Sequence, residues 1–213
     1  MCGIIGYIGK GNANEILHSG LKKLTYRGYD SFGFGFKNGN KIEIIKDVGD
    51  VEKIENLEAN NSNIGISHTR WATHGSVTKA NAHPHLCCEN KVAVVHNGII
   101  ENYQELKNEL LKKGHKFSSE TDTEVVSHLI EDEMKNGFQL IEAVRNAVSK
   151  LNGSYALVIM HKDFDGLIGV RKDSPLIVGV GDNEYFIASD VNAFMEHTKR
   201  VVYLDDGEMV VLK

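Results

Sequence analysis

A chain of 213 residues, 41% hydrophobic and 25% charged, has the make-up of a folded globular protein with room for a real core. A net charge of −5 with scattered Lys and Arg leaves no basic footprint for nucleic acid. No apolar run is long enough to span a bilayer, no signal peptide leads the chain, and three cysteines, two of them adjacent, make no disulfide framework, so a cytoplasmic protein without a membrane or nucleic-acid partner is expected.

The chain opens on Met1-Cys2-Gly3. If Met1 is removed, Cys2 carries a thiol and a free α-amine, with reference pKa values of about 8.5 and about 8. An amine of that basicity can take the thiol proton, a known way to make a nucleophile, although the same residues also suit a frayed terminus. Ile4 to Ile8 then reads as a strand, and Ala13, Ile16, Leu17, Leu21 and Leu24 have helical spacing over Asn12 to Leu24. Tyr26 to Ser31 is polar and glycine-bearing, hence a loop. Phe32, Phe34 and Phe36 share one face of a strand, Asn38-Gly39 turns it, and Lys41 to Lys46 returns. The charged, Asn-rich stretch from Asp50 to Asn63 reads as a short helix and a loop. A strand from Ile64 to His68 runs into Arg70-Trp71-Ala72-Thr73-His74-Gly75, and a long loop follows to Asn90.

Lys91 to His96 is an apolar strand stopping at Asn97-Gly98. Ile100 to Lys113 reads as a helix with Tyr103, Leu106, Leu110 and Leu111 on one side and Gly114 as C-cap. Thr121 and Glu124 have capping-box spacing at the start of the next helix, and Leu140 to Leu151 marks another. After Gly153 come short strands: Ser154–Met160, Gly166–Arg171, Leu176–Val180, Tyr185–Ala188, Val201–Leu204 and Glu208–Leu212. Asp163 to Gly166 and Asp205-Asp206-Gly207 read as hairpin turns. Many strands with few β-α-β alternations predict an α+β protein of stacked antiparallel sheets, with a site at the loop ends.

Several residues there suit chemistry. An Asn side chain and a Gly backbone N–H, as in Asn97-Gly98, are the donors an oxyanion hole needs, though Asn-Gly is also a plain turn. Arg70 can clamp a carboxylate with two parallel bonds or serve a structural ion pair. Asp122, read in the first turn of the helix after Thr121, can favour the helix dipole or bind an ammonium, and an Arg with an Asp matches the two charges of a free α-amino acid. Trp71, the only Trp, suits the core or a mobile lid. His83, His85, Cys87 and Cys88 lack the paired spacing of a zinc framework, so no metal is expected. Gly9-Lys10-Gly11-Asn12 is too short for a phosphate cradle.

Taken in order, Cys2-Gly3-Ile4, Tyr26-Arg27-Gly28-Tyr29-Asp30-Ser31, Arg70 to Gly75, Asn81-Ala82-His83-Pro84-His85, His96 to Asn102 and Ser119 to Glu124 resemble the glutaminase domains of the glucosamine-6-phosphate synthase family. These are class II glutamine amidotransferases of the N-terminal nucleophile hydrolase superfamily, and the resemblance covers essentially residues 1–213 as one domain. It implies a four-layer αββα sandwich of two antiparallel sheets and no cofactor. Cys2 would be the nucleophile with its α-amine as base, and Asn97 with the Gly98 N–H the oxyanion hole. Arg70, Thr73 and His74 would hold the carboxylate of L-glutamine, Asp122 and Gly98 its α-amine. Arg27 would support the Cys2 terminus, and Trp71 would match the family's ammonia-channel gate on a closing loop. The family's sugar-phosphate isomerase half lies beyond this chain, whose last strand is expected to sit at a domain edge, and the full enzymes are expected to be homodimers. Phe32 departs from the family's usual Ala. The rival readings are the glutaminase half of another class II amidotransferase and a non-catalytic amino-acid-binding domain.

Overall fold

Strand β1 (Gly3–Ile8) sets the layering in the computed structural model, which describes residues 2–54, 57, 61–72 and 75–213. Its side chains alternate: Ile4 and Ile8 enter one apolar cluster, Ile5 and Tyr7 another. A strand buried on both faces reads as a continuous apolar run, as this one does. β1 lies inside a seven-stranded sheet whose order is Val201–Tyr203 (β11), Ile177–Val180 (β9), Tyr185–Ala188 (β10), β1, Ile64–Arg70 (β4), Ser31–Asn38 (β2) and Lys41–Val48 (β3). The second sheet has five strands in the order Met209–Leu212 (β12), Leu167–Lys172 (β8), Gly153–His161 (β7), Val92–Ile100 (β6) and His85–Leu86 (β5). The neighbours in both sheets are antiparallel.

Ile4, Ile66, Val95, Val158 and Ile187 fill the space between the sheets. On the outer face of the larger sheet, helix α1 (Ala13–Lys22) buries Leu17 and Leu21 against Ile5, Phe34 and Phe36. Asn12 caps it, its Oδ1 accepting from Asn14 N at 3.1 Å. Helices α2 (Tyr103–Lys112), α3 (Glu124–Lys135) and α4 (Leu140–Ser149) cover the smaller sheet, with Leu106, Val125, Leu129 and Val144 against Val94, Leu157 and Ile159. The result is the expected αββα sandwich. Truncating a residue of its central layer, such as the fully buried Ile66, to Ala would cost about 2–5 kcal/mol. Among the described residues no helix is long and apolar enough to cross a membrane.

Five local expectations are corrected. The strand does not stop at Asn97-Gly98: β6 continues to Ile100, because β7 keeps pairing through Gly98↔Tyr155 and Ile100↔Gly153. Gly98 has φ of 129°, and a Cβ there would stand 2.1 Å from Ser154 O, so only glycine fits. Thr121 and Glu124 do not form a capping box. The Thr121 hydroxyl meets His85 Nε2 at 3.0 Å, while the Glu124 carboxylate accepts from the backbone N–H groups of Ser118 (2.8 Å) and Ser119 (2.7 Å). Asp122 precedes α3 rather than lying in its first turn, and its Oδ2 accepts from Ile100 N at 2.7 Å. Leu111 is exposed, turned about 100° round the helix from the buried Leu110. Asp205-Asp206-Gly207 is no hairpin, since it carries the chain from β11 in one sheet to β12 in the other. Asp163 to Gly166 does join the antiparallel neighbours β7 and β8. Of the Asp50 to Asn63 stretch, Val51–Lys53 forms a 3₁₀ turn, and residues 55, 56 and 58–60 lie outside the described residues.

Candidate active site

Cys2 sits at the mouth of β1, where Gly3 pairs with Thr69 of β4. That register carries the chain just beyond β4 past the thiol: Trp71 N–H donates to Cys2 Sγ at 3.2 Å, and Trp71 O lies 3.6 Å from it. The chain from the 3₁₀ turn at Thr25–Arg27 to Asp30 packs behind. A Cβ on Gly28 would fall 2.6 Å from the Arg70 carbonyl carbon, so glycine permits the approach. Thr69 Oγ1 donates to Gly28 O, Asp30 N to Arg70 O at 3.0 Å, and Ala72 N to Asp30 Oδ2 at 2.8 Å. The Cys2 carbonyl accepts two bonds, from Arg27 Nε at 3.1 Å and from Asn97 Nδ2 at 2.9 Å. Arg27 is anchored in turn by Asp190 at 3.4 Å. Phe32 packs against Phe34 in the outer core, with ring centroids 6.2 Å apart, and Arg27 still reaches Cys2.

The direction of the Asn97 amide is set from below. His68 Nε2 lies 3.0 Å from His96 O and 3.1 Å from Asn97 Oδ1. Both are acceptors, so that nitrogen carries the proton. With Oδ1 facing His68, Nδ2 is left to face Cys2. Burial holds His68 neutral, its pKa pulled down to about 3.

Cys2, Arg70, Trp71, Gly98, Asp122 and Thr123 line one cavity of about 20 Å³, room for about one water. The sequence-derived residues therefore converge: thiol, guanidinium, carboxylate and the strand glycine face one space, with Asn97 on the Cys2 carbonyl. Arg70 is buried, and its fork meets protein oxygens, with one Nη on Ser76 O at 3.2 Å and the other 3.5 Å from Gly75 O. Ser76 is pinned by Glu120 Oε2, which accepts from its N–H at 3.2 Å and its hydroxyl at 2.9 Å. Trp71 is half exposed, its ring edge-on to Tyr29 at 5.8 Å. Thr73, His74 and Met1 lie outside the described residues.

Burial pushes the Cys2 thiol above its ordinary pKa, opposed by the Trp71 N–H and the Arg70 charge and aided by Asp30. Burial likewise lowers Arg70, against the pull of Cys2, Asp30 and Asp122, and a guanidinium keeps its proton through such a shift. A thiol raised this way needs a base beside it to react near neutral pH.

Sequence reasoning missed three contributors. Asp30 was visible in the Tyr-Asp-Ser motif without a task; it locks Arg70 and Ala72. His68 was hidden as a polar residue inside an apolar strand. The Trp71 backbone N–H leaves no side-chain signal at all. The four residues with metal-ligand chemistry take different partners: His83 and His85 lie edge to face with ring centroids 4.6 Å apart, but His83 Nε2 meets Thr123 Oγ1 at 2.9 Å and His85 meets Thr121, while Cys87 joins the core and Cys88 faces two other histidines.

Residues 68–196 match a family described as "Glutamine amidotransferase domain". The glutamine–fructose-6-phosphate aminotransferase [isomerizing] of Thermococcus kodakarensis is 53% identical over 217 residues, which span all of this chain and 36% of that protein. The chain thus spans about a third of the length of the curated relatives it matches. Among solved structures, the glutamine phosphoribosylpyrophosphate amidotransferase of B. subtilis, complexed with ADP and GMP, aligns at 29% identity with a TM-score of 0.83, over 99% of this chain and 47% of that one. A structure described as the allosteric regulatory enzyme of purine biosynthesis aligns at 31% identity and a TM-score of 0.86, over 99% of this chain and 46% of that one. With the family match covering more than half its length and the αββα fold shared with both solved structures, the chain belongs to the glutamine amidotransferase domain family.

Proposed function

We propose that this chain is a glutaminase domain that hydrolyses the side-chain amide of L-glutamine through a thioester on Cys2. The reading requires removal of Met1, since only a free α-amine on Cys2 can act as base. The amine takes the thiol proton, and sulfur attacks the amide carbon. Asn97 Nδ2 and the Gly98 N–H carry the tetrahedral oxyanion. The intermediate collapses, the ammonium returns its proton to the leaving nitrogen, and ammonia departs. Water, deprotonated by the same amine, then attacks the γ-glutamyl thioester, giving glutamate and the thiol. Arg70 holds the substrate carboxylate, Asp122 and Gly98 its ammonium, and Arg27 steadies the terminus through the Cys2 carbonyl. The resemblance adds Thr73 and His74 to the carboxylate side and Trp71 as the gate over the departing ammonia.

The observation that carries this reading is the convergence of the Cys2 thiol, Arg70, Asp122 and Gly98 on one cavity. The identity to aminotransferases that use glutamine and fructose 6-phosphate supports the longer scheme. In it this chain is the N-terminal part of a homodimeric cytoplasmic enzyme, and ammonia passes to a sugar-phosphate isomerase domain that makes glucosamine 6-phosphate. The sequence carries no phosphate-cradling glycine loop that would mark a sugar-phosphate site. The test incubates the chain, with its N-terminus verified by mass spectrometry, with glutamine and fructose 6-phosphate. Equal glutamate and ammonia with no amino sugar is the expected result, and a Met1-bearing form should be inert. Glutamine binding without turnover by the Cys2-terminal form would leave an amino-acid-binding domain. Turnover at the same rate by the Met1-bearing form would refute the terminal amine as base.

A further inference from the structure

On the far side of the smaller sheet, four side chains from three separate segments turn their ligand atoms to one point. Cys88 comes from the β5–β6 connection, and His115 follows the glycine that ends α2 (Gly114, φ 90°). His128 and Glu131 lie three apart on α3, hence on one face of the helix. The ligand atoms all lie within 4.8 Å of one another. His115 Nδ1 is 3.2 Å from His128 Nδ1 and 3.3 Å from Glu131 Oε2, and Cys88 Sγ is 3.8 Å from His115 Nδ1 and 3.5 Å from His128 Nδ1.

Those spacings match four of the six edges of a coordination tetrahedron. With metal–nitrogen and metal–oxygen bonds of about 2.0–2.1 Å and a metal–sulfur bond of about 2.3 Å, tetrahedral angles put N···N and N···O pairs about 3.3 Å apart and S···N pairs about 3.5–3.6 Å apart. The outer atoms fit as well. His115 Nε2 faces Asp132 Oδ1 at 3.7 Å and His128 Nε2 faces Glu124 Oε1 at 3.5 Å, a carboxylate behind each imidazole. Lys116 N–H donates to Cys88 Sγ at 3.3 Å, a bond that steadies a thiolate. The Phe117 ring lies 4.4 Å from His128, and three of the four ligands are buried while Cys88 opens to solvent, which leaves an entry path. Lys135 Nζ lies 3.2 Å from Glu131 Oε2, but it is equally close to Glu89 Oε1 and keeps a partner when Glu131 turns to an ion.

We propose that Cys88, His115, His128 and Glu131 form a tetrahedral site for a zinc-type divalent cation. The thiolate and imidazole donors select against magnesium and calcium. Four protein ligands leave no open position, so the site is structural rather than catalytic. On binding, Cys88 gives its thiol proton to solvent and the ion ties the β5–β6 connection and the end of α2 to α3. Glu124, behind His128, also holds the Ser118-Ser119 backbone that leads to Asp122, so the ion braces the segment that delivers a site residue.

The test strips the full chain with chelator and titrates it with Co²⁺. One equivalent should give a sulfur-to-metal charge-transfer band with the intense visible bands of tetrahedral Co²⁺, and one equivalent of Zn²⁺ should bleach both. Cys88→Ser should abolish the charge-transfer band and weaken binding at least tenfold. His115→Gln, read the same way, carries the test if the serine variant loses its native circular dichroism. His197→Gln, at an exposed histidine outside the cluster, should titrate like the parent. No charge-transfer band at one equivalent, or Cys88→Ser and His115→Gln both binding as tightly as the parent, would overturn the proposal.

Discussion

Replacing Asn97 by Ala tests the oxyanion reading with its stability cost set apart. The change deletes two hydrogen bonds, Nδ2 to Cys2 O at 2.9 Å and His68 Nε2 to Oδ1 at 3.1 Å. Neither partner is stranded. Cys2 O keeps Arg27 Nε at 3.1 Å, and His68 Nε2 keeps His96 O at 3.0 Å. The folding cost is therefore the net worth of two bonds, about 1–3 kcal/mol together, rather than the larger penalty of an orphaned buried group. Loss of an oxyanion donor removes about 2.7–4 kcal/mol from the transition state alone, a fall in kcat of about 10²–10³ with little change in KM. Glutamate release over a range of glutamine concentrations, with urea unfolding of both proteins, reads the two effects independently. A folded variant with kcat near the parent's would leave Asn97 as a tether for the Cys2 carbonyl. A risen KM with unchanged kcat would make it a binding group.

On the proposed reading Arg70→Lys keeps the charge but loses the planar fork and Asp122→Asn loses the charge that would meet the ammonium, so each should raise the glutamine Kd by calorimetry. Substrate analogues without the α-carboxylate should be poor for the parent and indifferent to Arg70→Lys; equal use of such analogues would end the clamp reading. Gly98→Ala forces a Cβ to within 2.1 Å of Ser154 O at φ of 129°, so unfolding should become easier by about 1–3 kcal/mol or more. An unshifted urea midpoint would contradict the strand geometry. Acid should weaken the fold early. Burial holds His68 down at about 3, and burial with neighbouring histidines pushes His83 well below its ordinary value. The unfolded chain then binds more protons than the folded one below about pH 6.5, so stability is full above that pH and falls towards pH 3 by up to about 1.4 kcal/mol per pH unit per group. His68→Gln, which keeps a neutral donor, should flatten the fall in Tm between pH 7 and pH 5, and an unchanged slope would refute the assignment.

The sequence made the layers legible because their strands alternate two apolar faces. Ile4-Ile5 and Val94-Val95 each send neighbouring residues into different clusters, and only a strand between two layers needs that pattern. Local turn signals were less secure. Asn97-Gly98 has the letters of a turn, yet the register with β7 overrides them and uses the glycine's freedom inside a strand. Asp205-Asp206-Gly207 has the letters of a hairpin, but which sheet receives the next strand is a long-range choice that no dipeptide encodes. The side chains nearest the thiol were readable as chemical types. The hydrogen bonds that aim them were not, because backbone donors such as Trp71 N–H, and partners as remote as His68 for Asn97, exist only once β1, β4 and β6 are assembled.

The Arg70 fork beside the small cavity at Cys2 is already occupied by backbone oxygens. Ser76 O and Gly75 O approach the guanidinium's two Nη atoms, the positions the two oxygens of a bidentate carboxylate would take. On the proposed reading, glutamine does not enter an open clamp; its carboxylate exchanges with backbone carbonyls. Bonds from an ionised acceptor are roughly twice as strong as those from a neutral one, so the exchange favours substrate at Arg70. Against it stand the bonds that pin Ser76 to Glu120 and Asn81, at 2.9 Å to 3.2 Å. The Ser76–Glu120 contacts are exposed, where a hydrogen bond is traded against water for little net gain. On that reading the guanidinium keeps its backbone partners while no substrate is bound. Recognition of the free amino acid is, on the same reading, coupled to displacement of the Gly75 and Ser76 carbonyls from Arg70.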